Sequence, residues 1–278
     1  MADITAKLVK ELRDATNVSM MECKKALVEA DGNLDEAMRI LRERGMAVAA
    51  KKASRTANQG LVASARSEDG KTASLVEVNC ETDFVARNET FIAFVDDLAK
   101  RALETDEQLG ETLKDEVTQK VAEIGENILI PRNTRMTLQG PGKVASYIHL
   151  NGKVGVLVEL GCEKDETAGS EVFSDLARDL TLHVAACNPR YMTRDEVPED
   201  EVAREREIFA KQAGEKPPQI IEKIVEGKIG KYFAEICFVE QGFVKEPKQS
   251  ITELLEEKGK DLGETLTIRR CVRYQIGQ

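Results

Sequence analysis

The residues of this chain that could do chemistry are few, and their spacing does not suit catalysis. The only histidines are His149 and His183. The six cysteines, Cys23, Cys80, Cys162, Cys187, Cys237 and Cys271, form no CxxC pair, so no zinc site is expected. There is no HExxH, no GxSxG and no glycine-rich phosphate loop. Carboxylates are abundant, but they lie along helical faces, where acids are solvated rather than set up for proton transfer. No metal, no cofactor and no enzymatic turnover are expected; the chemistry on offer is that of binding.

Three groups of side chains suit that chemistry. Residues 79–88 read NCETDFVARN: a β-branched run ends, and Thr82, Asp83, Phe84 and Val85 follow. Phe84 stands beside an acid where the chain should turn polar. It is either packed into the core of its own unit or an exposed anchor for a partner's pocket. Met20 and Met21 open a helix. Flexible thioethers suit a protein-binding surface, although Met20 shares a face with Cys23 and Leu27 and packing fits it equally well. His149 lies near a turn, where it is either incidental or a contact.

Bulk properties narrow the partners. With 278 residues, the chain has room for one large domain or two to three small ones, and a net charge of −10 argues against nonspecific binding to nucleic acid or anionic membranes. No apolar run is long enough to span a bilayer, and MADITAKLVKEL lacks the features of a signal or transit peptide. Most cysteines sit in apolar runs, as buried thiols in a reducing cytoplasm do.

The elements that must position these residues are legible in outline. Ile4, Leu8 and Leu12 recur at helical spacing. Ser19 with Glu22, and Asn33 with Glu36, mark two capping boxes, with Gly32 closing the second helix and the third ending near Gly45. This front module, residues 1–55, holds 11 basic and 9 acidic residues, or +2; the rest holds 29 against 41, or −12. An Ala- and Lys-rich extension links it onward. Then the sequence repeats: GKTASLVEVNCE at 70–81 matches GKVGVLVELGCE at 152–163, and the same 82-residue offset pairs Asp83 with Asp165 and Phe91 with Phe173. Two copies of one α+β unit are expected, with helices against antiparallel sheets, at 56–143 and at 144–187 with 230–278. Each opens with a tight hairpin, at Asp69-Gly70 and Asn151-Gly152. The following helices carry the stripes Phe91, Val95, Leu98, Ala102 and Val172, Leu176, Leu180, Val184. Residues 188–229 interrupt the second unit as a helical hairpin with a seam of Val202, Phe209, Ile220, Ile224 and Ile229.

The repeat also serves as an internal control. Asp83 recurs as Asp165, which points to a structural share in its role. Phe84 is replaced by Glu166, and His149 has Ser67 as counterpart. A ring needed by the fold would be kept in both copies.

LVKELRDATNVSMMECKKAL at the front, EVNCETDFVARN in the middle, and GENILI with the later LHVAACNPRYM resemble the elongation factor Ts family along essentially the whole chain. These are guanine-nucleotide exchange factors for the GTPase elongation factor Tu. The resemblance implies a ubiquitin-associated-like (UBA-like) front bundle whose helix mouth, Met20 and Met21, rests on the partner's nucleotide domain. It implies that Thr82, Asp83, Phe84 and Val85 intrude beside the partner's Mg²⁺ site, that His149 faces the partner, and that the hairpin is a variable coiled-coil insertion. Some members carry a further helical module beyond the closing strand, where this sequence ends. A homodimer through the hairpin stays open. The rival reading is a UBA-like adaptor without exchange activity, for which residues 1–45 would suffice to bind.

Overall fold

The computed structural model describes residues 4–16 and 18–278; residues 1–3 and Asn17 of the expected front module lie outside them. Helices α1 (Ala6–Thr16), α2 (Met20–Glu29) and α3 (Leu34–Lys52) enclose a small core of Val9, Leu12, Cys23, Leu27, Ala37 and Ile40. The two capping boxes are only half made. Ser19 Oγ accepts from the Glu22 amide and Asn33 Oδ1 from the Glu36 amide. The glutamates turn instead to Lys25 and Arg39, one turn on, because a cation outcompetes a neutral amide for a carboxylate. Nor does α3 stop near Gly45. A Cβ there would lie 3.3 Å from Ala122 Cβ, so this glycine marks where α3 meets a later helix rather than where it ends.

The first unit runs β1 (Gln59–Arg66), β2 (Thr72–Cys80), α4 (Asp83–Ala86), α5 (Glu89–Arg101), α6 (Leu109–Thr112), α7 (Lys114–Ile124) and β3 (Leu129–Thr137). The second runs β4 (Gly142–His149), β5 (Val154–Gly161), α8 (Asp165–Ala168) and α9 (Glu171–Cys187). The inserted helices α10 (Glu199–Ala213) and α11 (Pro218–Ile236) follow, then β6 (Gly242–Phe243), β7 (Glu246–Ser250), α12 (Ile251–Leu262) and β8 (Thr267–Gln275). Both principal sheets are antiparallel, in the orders β1-β2-β3 and β4-β5-β8.

Neither hairpin closes as a two-residue loop, although in the second Lys153 N donates to Leu150 O at 3.3 Å across Asn151-Gly152, both at positive φ. Ser67 N donates to Thr72 O, leaving residues 68–71 as the loop, where the Asp69 carboxylate accepts from Ser67 Oγ and Lys71 N. His149 pairs with Val154, leaving residues 150–153. On α9 Leu176, Leu180 and Val184 are buried as expected, but Val172 is exposed and Phe173 is buried in its place. In the helical hairpin, Val202, Phe209 and Ile229 do face the seam. Ile221 and Val225 join them in place of Ile224 and of Ile220, which is exposed. Helix α11 continues unbroken past residue 229 to Ile236.

The two sheets face each other with their helices outside. Val76, Val78 and Cys80 of β2 point to α5, while Leu75 points to the other sheet; Val156, Val158 and Leu160 of β5 point to α9, while Leu157 points back. Gly155 marks the closest approach, since a Cβ there would lie 2.4 Å from Val62 Cγ1 and 2.7 Å from Leu75 Cδ1. Two buried acids stand on these inner faces, Glu77 and Glu159, related by the 82-residue offset. Each bonds an arginine of its own sheet that also reaches the other sheet. Arg132 donates to Glu77 at 2.8 Å and stacks on Tyr274, while Arg270 holds Glu159 and donates to Thr137 O.

His183, fully buried on α9, bonds Gln241 Oε1 through Nε2 and accepts from the Val244 amide at Nδ1. With Nδ1 an acceptor, the ring is the neutral Nε2–H tautomer. Burial pushes its pKa below the ordinary 6.5, partly offset by Gln241. The unfolded chain therefore binds more protons below about pH 6.5; stability from this site is complete above that value and is lost as pH falls through it. Lowering pH from 7.5 to 5.5 should lower the denaturant midpoint. His183→Gln should remove much of that dependence. Equal pH slopes in the two proteins would contradict this assignment.

Candidate partner-binding site

The Thr82–Val85 segment is one turn of helix fixed at both ends. At its start, the buried Cys80 thiol donates to Thr82 O at 3.2 Å. Burial first, then the nearby Glu126 carboxylate, pushes this thiol up to about 12, so it is no nucleophile. Thr82 is extended and caps α4, its Oγ1 accepting from Val85 N at 3.3 Å. At the far end Ala86 is buried, and Val85 packs on the core of the first unit. With those two residues facing inward, Phe84 must face outward: it is 82% exposed. Asp83 pairs with Arg87 at 3.0 Å on the same outer surface.

A carboxylate clasp holds the base of this turn. Glu126 Oε2 accepts from the amides of Glu81 and Thr82, both at 3.0 Å, and its Oε1 accepts from Thr82 Oγ1 at 2.6 Å. In return Glu81 Oε1 accepts from Asn127 N at 2.7 Å. That bond first, and Arg55 besides, hold the Glu81 carboxyl below the usual carboxylate range. The second unit repeats the device: Glu264 takes the amides of Glu163 and Lys164 and the hydroxyl of Thr167, and Cys162 donates to Lys164 O. At the position of Phe84 it carries Glu166. The fold keeps the turn without the ring.

Met20 and Met21 occupy the first two positions of α2 and are 42% and 64% exposed, so Met20 does not join the core as its shared face with Cys23 allowed. They stand on the front bundle, a different body from the turn. His149 is exposed at the end of β4, and its Nδ1 bonds Tyr147 Oη at 2.8 Å. Its loop, with positive φ at Leu150, Asn151 and Gly152, is tied to β1: Val62 N donates to Gly152 O, and Lys153 Nζ reaches Gln59 and Gly60. Gln59 pairs with Cys80, so His149 and Phe84 lie toward the same end of the first sheet. Among the described residues there is no cluster of metal-ligating side chains, and no helix is long and apolar enough to cross a membrane.

A sequence model of the family described as Elongation factor TS matches residues 81–278, beginning one residue before Thr82. The chain is 44% identical over 290 residues to Elongation factor Ts of Clostridium novyi (strain NT), covering 99% of this chain and 93% of that one. It is 43% identical over 277 residues to Elongation factor Ts of Nitratidesulfovibrio vulgaris (strain DP4), covering 99% and 96%. The chain belongs to the elongation factor Ts family. Elongation factor Ts, the nucleotide exchange factor for elongation factor Tu, is a cytoplasmic translation factor that acts by binding and not as an enzyme.

Family membership accounts for a chain without catalytic groups, since an exchange factor needs shape and anchorage rather than a reacting side chain. Sequence reasoning missed the clasp, namely Glu81, Glu126 and Asn127. The signal was present. Glu126 and Glu264 each lie three residues before the closing strand of their unit, and so do their copies of the turn before the following helix.

Proposed function

We propose that Phe84 is the wedge by which this chain drives exchange of GDP for GTP on elongation factor Tu, with Asp83 beside it and Thr82 and Val85 holding the turn. The ring enters between helices of the GTPase next to its Mg²⁺ and phosphate site, and the metal loses its supports. A binding protein accelerates release only by holding the nucleotide-poor conformation more tightly than the closed one. What carries this reading is the bare Phe84 ring on a turn anchored from three sides. The test is to load elongation factor Tu with labelled GDP and time its loss, against excess GTP, with and without this chain. An unchanged rate would remove the reading.

Met20, Met21 and His149 then supply affinity and position. The two thioethers present flexible apolar surface at a helix mouth. Met21→Glu should weaken complex formation roughly tenfold, by burying an unpaired charge in the contact, with no change in this chain's melting temperature. Calorimetric titration against nucleotide-free elongation factor Tu reads this, and an unchanged affinity discards the contact. If the chain were an adaptor without exchange activity, its isolated front bundle would retain the full affinity. Ile208 and Ile220 lie exposed on α10 and α11, and a homodimer through the hairpin is the use they suggest. Sedimentation showing a single monomeric species would remove that second reading.

A further inference from the structure

We propose that Glu126 is a positioning residue for exchange, acting through the turn that carries Phe84; this rests on the reading of Phe84 given above. An exposed ring has no packing of its own to set its direction, so its aim is inherited from the backbone beneath it. The start of that backbone is held by one carboxylate. Glu126 Oε2 fixes the amides of Glu81 and Thr82, the last two before the helical turn. Its Oε1 accepts the hydrogen bond donated by Thr82 Oγ1, which leaves the hydroxyl lone pairs to accept from Val85 N. The cap of α4 is thus oriented by relay from Glu126.

The same short segment also receives the front of the chain. Lys52 Nζ at the end of α3 donates to Gly125 O, and Asn127 Nδ2 donates to Arg55 O at 2.8 Å. Residues 125–127 therefore register the front bundle and the Phe84 turn against each other. In the copy, Glu264 takes the two corresponding amides but the hydroxyl of Thr167, at the position of Val85, and has no ring to aim, so the two glutamates separate positioning from simple structural support.

The experiment uses the full chain and GDP-loaded elongation factor Tu, reading the maximal release rate and the half-saturating concentration. Glu126→Ala should lower the maximal rate roughly tenfold with little change in half-saturation, since misaiming a group costs rate more than affinity. Glu126→Gln should restore most of it, because the amide oxygen can take both backbone amides while its NH₂ donates to Thr82 Oγ1. Glu264→Ala should leave the rate unchanged even where it lowers the melting temperature. Phe84→Ala should be slow, and Phe84→Ala with Glu126→Ala no slower.

A normal rate for Glu126→Ala beside a slow Phe84→Ala overturns the positioning role and leaves the wedge intact. A normal rate for Phe84→Ala overturns both. Equal losses for Glu126→Ala and Glu264→Ala reduce the clasp to stability alone. If Glu126→Ala does not fold, Thr82→Val breaks only the hydroxyl relay: a slowed maximal rate supports the proposal and a normal one overturns it.

Discussion

Phe84→Ala is expected to slow stimulated release of GDP by one to two orders of magnitude while leaving this chain's own melting temperature within about a degree. The second half follows from exposure: a ring that is 82% exposed leaves no cavity when removed. The first half follows from where the ring goes. Burying a phenylalanine contributes about 2–3 kcal/mol. If that gain is realised only as the nucleotide site opens, each ~1.4 kcal/mol is a factor of ten in rate. A nucleotide bound at nanomolar strength is held by ~12 kcal/mol. One ring therefore supplies a fraction of what is needed, and the rest must come from the wider interface. Stopped-flow release with labelled GDP measures the first half and calorimetry the second. A large drop in melting temperature with a normal release rate would return Phe84 to a structural role.

Arg132→Met is expected to cost about 3 kcal/mol, the low end of the range for breaking a buried ion pair from one side, because the arginine itself is more than a third exposed. Glu77 is buried between the two sheets and has Arg132 as its ion-pair partner. Without it, a carboxylate is left in apolar surroundings, and the stack of the guanidinium on Tyr274, 4.4 Å from the ring centroid, is lost as well. At roughly 2–4 °C per kcal/mol for a chain of this size, the melting temperature should fall by roughly 6–12 °C. Arg270→Met is the internal comparison and should cost less. Glu159 keeps Arg269 at 3.3 Å and the Gln139 amide at 2.7 Å. Glu77→Gln with Arg132→Met should recover part of the loss, because the stranded charge is gone. Equal melting temperatures for the two arginine variants would mean that the Glu77 site admits water freely.

Much of the fold was legible because it was written twice. Strand alternation and an 82-residue offset sustained through strand, turn and helix point to a duplicated α+β unit. The same offset shows Phe84 missing from the copy. What was misjudged depends on neighbours distant in sequence. Gly45 looks like a helix end until Ala122 is brought against it. Glu22 and Glu36 look like capping partners until cations one turn away claim them. Ile220 and Ile224 are as apolar as Ile221 and Val225, and only the path of α10 decides which pair is covered.

The sequence by itself determined the class of protein and its building units, since composition, periodicity and repetition are local or additive properties of the chain. It also narrowed the functional residues to a few, by leaving no group able to catalyse. Only the tertiary structure decided that Phe84 faces solvent, that His149 lies toward the same end of the sheet, and that Glu126 grips the turn across 44 residues of chain. Exposure and hydrogen-bond partnership are properties of pairs brought together by folding, and no single stretch of sequence contains them.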